Sequence, residues 1–141
     1  MITVSDFNLR LTIWGLTEDK TVSYIKNPKF SDKGCSFTSN GKFMALAERD
    51  SCKDFVGLYY CGDWKLMNHF QTDTVDLADL MWTGDDTAIV VWDSAVECRL
   101  LIYSPTQGLL AKHEPYEGAL GFRNVTFSPD GQFLIAGACD Q

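Results

Sequence analysis

Short apolar runs alternate with polar turns along this chain, and one arrangement of them returns at a fixed interval. Residues 36–46 (SFTSNGKFMAL) hold an aromatic residue, a four-residue polar turn and an apolar run. The order recurs in Leu80-Met81-Trp82, Thr83-Gly84-Asp85-Asp86 and Ala88-Ile89-Val90-Val91. It recurs again in Val125-Thr126-Phe127, Ser128-Pro129-Asp130-Gly131 and Phe133-Leu134-Ile135-Ala136. The anchors Phe37, Trp82 and Phe127 each lie 45 residues from the next. Pro129 presets φ at the first central position of a turn, Asp130 tolerates the second, and Gly131 or Gly41 accepts the positive φ that closes it. Each copy therefore predicts two antiparallel strands and their hairpin.

A second marker agrees with the first, because Trp14, Tyr59 and Tyr103 end the third predicted strand of successive units at intervals of 45 and 44 residues. A period of roughly 40–45 residues with several short strands per unit predicts a WD40-type β-propeller. A β-sandwich needs no constant spacing. The expected class is all-β: about three blades' worth of four-stranded antiparallel sheets, incomplete at both ends. Residues 1–26 form a partial blade lacking its inner strand, in which Leu9, Leu11 and Ile13 alternate with Asn8, Arg10 and Thr12 as a half-buried strand does. Residues 30–70 and 76–113 are complete blades, and 120–141 supply the first two strands of another. Closed propellers need typically four to eight blades, so the chain reads as a piece of a larger ring whose isolated segment self-associates. Residues 48–54, Glu-Arg-Asp-Ser-Cys-Lys-Asp, are expected to form a long charged loop between the second and third strands of the first complete blade.

Charge and cysteine content narrow the partners. The net charge of −7 opposes nucleic-acid phosphates, an anionic membrane surface and an acidic partner. Five cysteines without a CxxC pair suit reduced thiols inside a cell. No signal peptide or membrane span is expected. Asn124-Val125-Thr126 matches a glycosylation sequon but falls in a predicted strand. His69 and His113 with Cys52, Cys61 or Cys98 match no zinc module, and Asp73, Asp76, Asp79, Asp85 and Asp86 lack the order of a calcium loop. No nucleophile elbow or phosphate loop occurs. Neither an enzyme nor a bound cofactor or metal is expected.

The repeats are degenerate. The third strands end in Trp14-Gly15, Tyr59-Tyr60 and Tyr103-Ser104 rather than Trp-Asp, and the literal Trp92-Asp93 ends a second strand. The acid that ordinarily precedes the third strand is represented only by Asn8 and Glu97. Even so, Met44-Ala45-Leu46-Ala47-Glu48-Arg49, Cys52-Lys53-Asp54, Asp63-Trp64, Asp73-Thr74 and Asp76-Leu77 resemble the WD-repeat family known as WRAP, or WD-repeat-containing protein eight. Residues 9–14 and 22–26, Val91-Trp92-Asp93 and residues 100–104 extend the resemblance to the middle blades of that family's propeller.

The resemblance implies a non-catalytic scaffold of the cytoplasm and cytoskeleton, at the centrosome, spindle pole or ciliary basal body. It further implies a coiled-coil centrosomal adaptor as partner, with microtubule minus ends or a minus-end motor reached indirectly, and support for cilium formation. The acidic charge favours an adaptor over direct contact with acidic tubulin. A generic WD40 adaptor in trafficking or ubiquitin ligation is the alternative. Candidate partner-binding residues are Arg49, Lys53 and Asp54 in the charged loop, Asp63 and Trp64 at a turn, and Tyr116 beside Glu117, because exposed Trp, Tyr and Arg dominate interface energetics. Trp64 could equally pack on the edge of its own blade.

Overall fold

A computed structural model describes residues 2–4, 10–17, 20–116 and 118–139. Asn8, Leu9 and Glu117 lie outside the described residues. The first sheet contains β1 (Ile2–Val4), β2 (Arg10–Gly15) and β3 (Lys20–Lys26). The second contains β4 (Cys35–Phe37), β5 (Phe43–Asp50), β6 (Lys53–Tyr60) and β7 (Lys65–Gln71). The third contains β8 (Leu77–Trp82), β9 (Ile89–Asp93), β10 (Leu100–Ser104) and β11 (Gly108–His113), and β12 (Phe122–Phe127) pairs with β13 (Leu134–Ala138). Every pairing is antiparallel between chain neighbours. The chain is thus a series of blades, numbered one to four here, and the fold is the all-β WD40-type propeller segment that the period predicts.

The hairpin that opens each unit is built the same way three times. Gly41, Asp86 and Gly131 hold φ of 67°, 59° and 71°. Their amides donate to Thr38 O, Thr83 O and Ser128 O at 2.9, 2.9 and 2.8 Å. The hydroxyls of Thr38, Thr83 and Ser128 in turn accept from Phe43 N, Ala88 N and Phe133 N, each at 3.0 Å. In the middle copy an aspartate occupies the strained position, and its carboxylate reaches blade two, accepting from Ser39 N at 2.8 Å and Ser39 Oγ at 2.5 Å.

The core lies between blades, and this explains why the central strands read as continuous apolar runs rather than alternating ones. Met44 and Leu46 of β5 pack with Leu11, Ile13 and Ile25 of blade one. Ala45 and Ala47 of the same strand face the other way, toward Leu77, Leu80 and Ile89 of blade three. In β9, Ile89 and Val91 turn to blade two while Val90 and Trp92 turn to Phe122 and Val125 of blade four.

One element departs from expectation. Residues 48–54 are not a long loop: β5 runs through Asp50, β6 starts at Lys53, and Arg49 pairs with Asp54 across the ladder. Only Ser51 and Cys52 turn the chain, with φ of 49° and 62°. Two successive positive φ values make the two-residue turn whose twist matches the flanking strands. The charged residues around it are strand residues whose side chains reach their neighbours.

Candidate interaction surfaces

Antiparallel order sends the β5–β6 and β9–β10 turns and the connectors between blades to one rim. The β4–β5, β6–β7, β8–β9, β10–β11 and β12–β13 turns go to the other. The six candidate residues divide between these rims: Arg49, Lys53, Asp54 and Tyr116 on the first, Asp63 and Trp64 on the second.

On the first rim the charges lock blades together. Lys29 Nζ donates to Asp54 Oδ2 at 2.8 Å and Asp76 Oδ1 at 2.7 Å. Arg49 Nη1 lies 3.3 Å from Asp54 Oδ1 and 2.8 Å from Asp76 Oδ1. Asp54 is buried and also accepts from Leu77 N at 2.7 Å, tying blade two to the first strand of blade three. It is therefore an interior brace, which corrects its expected place in an exposed loop. Hydrogen bonding from Lys29, ahead of Arg49, holds the Asp76 carboxyl below its ordinary range. Arg49 is spent in the same network. Lys53 stays exposed, and Tyr116 is 61% exposed in the connector to blade four.

The acid that the sequence places only at Asn8 and Glu97 has other occupants. In blade two it is Asp54. In blade three it is Asp93, fully buried, accepting from Val75 N at 3.2 Å and Asp76 N at 2.8 Å, with burial pushing its pKa up. Trp92-Asp93 is thus no Trp-Asp repeat ending, yet its aspartate fastens the connector leading into its own blade. A second ionic cluster follows, in which Arg99 Nε binds Glu114 Oε1 at 2.7 Å and Lys112 Nζ bridges Asp73 and Glu114 at 3.1 and 3.0 Å.

On the second rim Asp63 accepts from Lys65 N at 3.1 Å, which with the Lys65 side chain lowers its pKa. Trp64, at φ 58°, is half-buried against the core between blades one and two.

Sequence reasoning missed a polar triad that runs across β5, β6 and β7, buried at Glu48 and Tyr59 and exposed at His69. Tyr59 Oη donates to Glu48 Oε1 at 2.5 Å, and His69 Nε2 lies 3.0 Å from Glu48 Oε2. Burial raises the Glu48 pKa against these partners and also raises that of Tyr59. The one sequence signal was Gly57, where a Cβ would collide with Glu48 Oε1 and Tyr59 Cε2. His113 does not join His69. Among the described residues no group of three His, Cys, Asp or Glu side chains is placed to hold a metal ion, and all five cysteines are free thiols. The Cys35 thiol is pushed up to about 11, chiefly by burial, which leaves little reactive thiolate. No described helix is long and apolar enough to cross a membrane.

No protein-family profile matches the chain. It is 41% identical over 140 residues to WD repeat-containing protein WRAP73 of Mus musculus, a match covering 99% of this chain and 30% of the relative. It is 22% identical over 133 residues to an uncharacterized WD repeat-containing protein of Schizosaccharomyces pombe, covering 92% of this chain and 28% of that protein. The blades and these relatives together define the class: the chain is a WD-repeat protein segment. Within that class it is similar to WRAP73, and the designation "eight" suggested by the resemblance is not the name the relative carries. The chain spans under a third of the length of either relative.

Proposed function

We propose that this chain is part of a non-catalytic WD40 scaffold that works at the centrosome, spindle pole or ciliary basal body. There it helps anchor microtubule minus ends through a coiled-coil partner. The observation that carries the reading is the similarity to WRAP73 along nearly the whole chain, which agrees with the resemblance in the blade motifs. The geometry supports the scaffold part. Charged side chains on the first rim are matched to one another, Lys29 and Arg49 with Asp54 and Asp76 between blades and Arg99 with Glu114 within blade three, an arrangement suited to rigidity. Lys53 and Tyr116 remain exposed there for contact with a partner.

The test is localisation of the tagged full-length protein through mitosis, with proximity labelling of its neighbours. Foci at spindle poles with a coiled-coil protein among the neighbours are expected. Diffuse signal without pole enrichment would overturn the centrosomal reading and leave a WD40 adaptor of another complex.

A further inference from the structure

A cleft of about 530 Å³ opens on the first rim of blade three, between the β9–β10 turn and the connector that leads to blade four. Val96, Glu97 and Cys98 stand in one wall, and Glu114, Tyr116 and Ala119 in the other. Backbone contacts fix both walls. Glu97 N donates to Ser94 O at 3.1 Å and Arg99 N to Glu97 O at 2.9 Å, which holds the turn. Ala119 N donates to Tyr116 O at 3.2 Å, with Gly118 at φ 80° in the bend of the connector. Gly121 N donates to Ala95 O at 2.9 Å and joins the two segments, and a Cβ at Gly121 would collide with Ser94 O.

The side chains of these walls differ in what they leave open. Cys98 and Ala119 are buried, whereas Val96 is 70% and Tyr116 61% exposed. The Glu114 carboxylate is held by Arg99 and Lys112, and these two cations with Glu114 and Asp73 make a set that is neutral as a whole. Glu97 is half-buried, and no cation among the described residues pairs with its carboxylate. Its charge acts instead on Asp93, where it adds to burial in raising the pKa. An exposed apolar side chain, an exposed aromatic ring and an uncompensated carboxylate therefore share one cleft.

We propose that this cleft is a docking site for an arginine in a segment of a partner protein, with the guanidinium stacked on Tyr116 and paired with Glu97 and the aliphatic stem against Val96. The guanidinium is planar, so its face covers a ring while its edge donates to a carboxylate. The compact ammonium of lysine lacks that second geometry. The methylene stem of arginine covers apolar surface beneath its charged head. Charge selects the same partner: the chain carries −7, and an acidic segment would be repelled by Glu97.

The site concerns which surface of the scaffold holds a partner, and it stands whether or not that partner is centrosomal. The probe is a phage-displayed library of random dodecapeptides selected on the immobilised 141-residue chain, with affinities of enriched peptides read by fluorescence polarisation. Enriched peptides are expected to share an arginine. Replacing that arginine by citrulline, which keeps the shape and removes the charge, should weaken binding about tenfold, and Glu97→Gln should do the same from the protein side. Tyr116→Leu should weaken binding about threefold, whereas Tyr116→Phe should leave it unchanged because the ring face makes the contact. Circular-dichroism melts of the three variants separate loss of binding from loss of fold, and the citrulline exchange leaves the protein unaltered. Wild-type affinity for folded Glu97→Gln or Tyr116→Leu, or for the citrulline peptide, would overturn the proposal, as would no enrichment, or enrichment of peptides without arginine.

Discussion

Strands β9 and β13 hold the same place in successive units, with Ile89 and Leu134 45 residues apart, and both read as apolar. Their burial is opposite. All five residues of β9 are buried, whereas β13 is half-buried at Leu134 and exposed from Ile135 to Ala138. Val90 is 1% exposed and its counterpart Ile135 is 59% exposed. The β9 strand has β8 and β10 on its edges and blades on both faces; β13 has β12 on one edge and blade three on the far side of it. An apolar strand in this architecture is therefore core only where neighbouring blades make it so. The nearest-neighbour character of repeat proteins has this consequence.

The largest effect expected from the contrast is association. Phe133 and Ile135 at one end, with Val22, Tyr24 and Leu16 at the other, present exposed apolar surface. Sedimentation velocity on the isolated chain should show concentration-dependent self-association, and the double substitution Phe133→Lys, Ile135→Lys should reduce it. Next come core truncations at matched positions. Val90→Ala should destabilise by about 1–3 kcal/mol, whereas Ile135→Ala should change stability by no more than about 0.5 kcal/mol, read from urea midpoints.

The charged rim offers the same contrast in polar form. Asp54→Ala leaves Lys29 buried beside it without that partner and the Leu77 amide without its acceptor, and should cost about 3 kcal/mol. Asp63→Ala breaks an exposed ion pair with Lys65 and one exposed hydrogen bond from the Lys65 amide, and should cost no more than about 1 kcal/mol. Gly57→Ala, which pushes a methyl into the Glu48–Tyr59 pair, should cost about 1–3 kcal/mol.

The smallest effect is in the acid limb of stability. The folded pKa of Asp76 is depressed, so its contribution is present above the ordinary aspartate value near 3.8 and is lost as pH falls through the folded value. The folded pKa of Glu48 is raised, so protonation there favours the folded state as pH falls and works in the opposite direction. Asp76→Asn should accordingly flatten the loss of stability below about pH 4, measured by urea unfolding at stepped pH.

The period made the blades readable in the sequence because each hairpin carries its own turn chemistry, and Gly41 and Gly131 announce the positive φ they adopt. The β5–β6 turn was unreadable for the converse reason. Ser51 and Cys52 do not advertise a left-handed backbone, and seven polar or charged residues in a row look like a loop when they are the rim ends of two strands and the turn between them, with Glu48 and Asp54 buried. That misreading placed Asp54 outside. Its partners Lys29 and Leu77 lie more than twenty residues away, so only the stacking of blades brings them together. The same holds for Trp82. Its spacing marked it as a strand anchor, while nothing in the sequence marks its indole N–H as a buried donor without an acceptor among the described residues.

The central claim is that flanking blades, not strand composition, decide burial and stability here. Hydrogen–deuterium exchange on the 141-residue chain, below its association midpoint, tests it most directly. The amides of β9 should exchange roughly a hundredfold or more slowly than those of β13. Equal protection of the two strands in the dissociated chain would contradict the account.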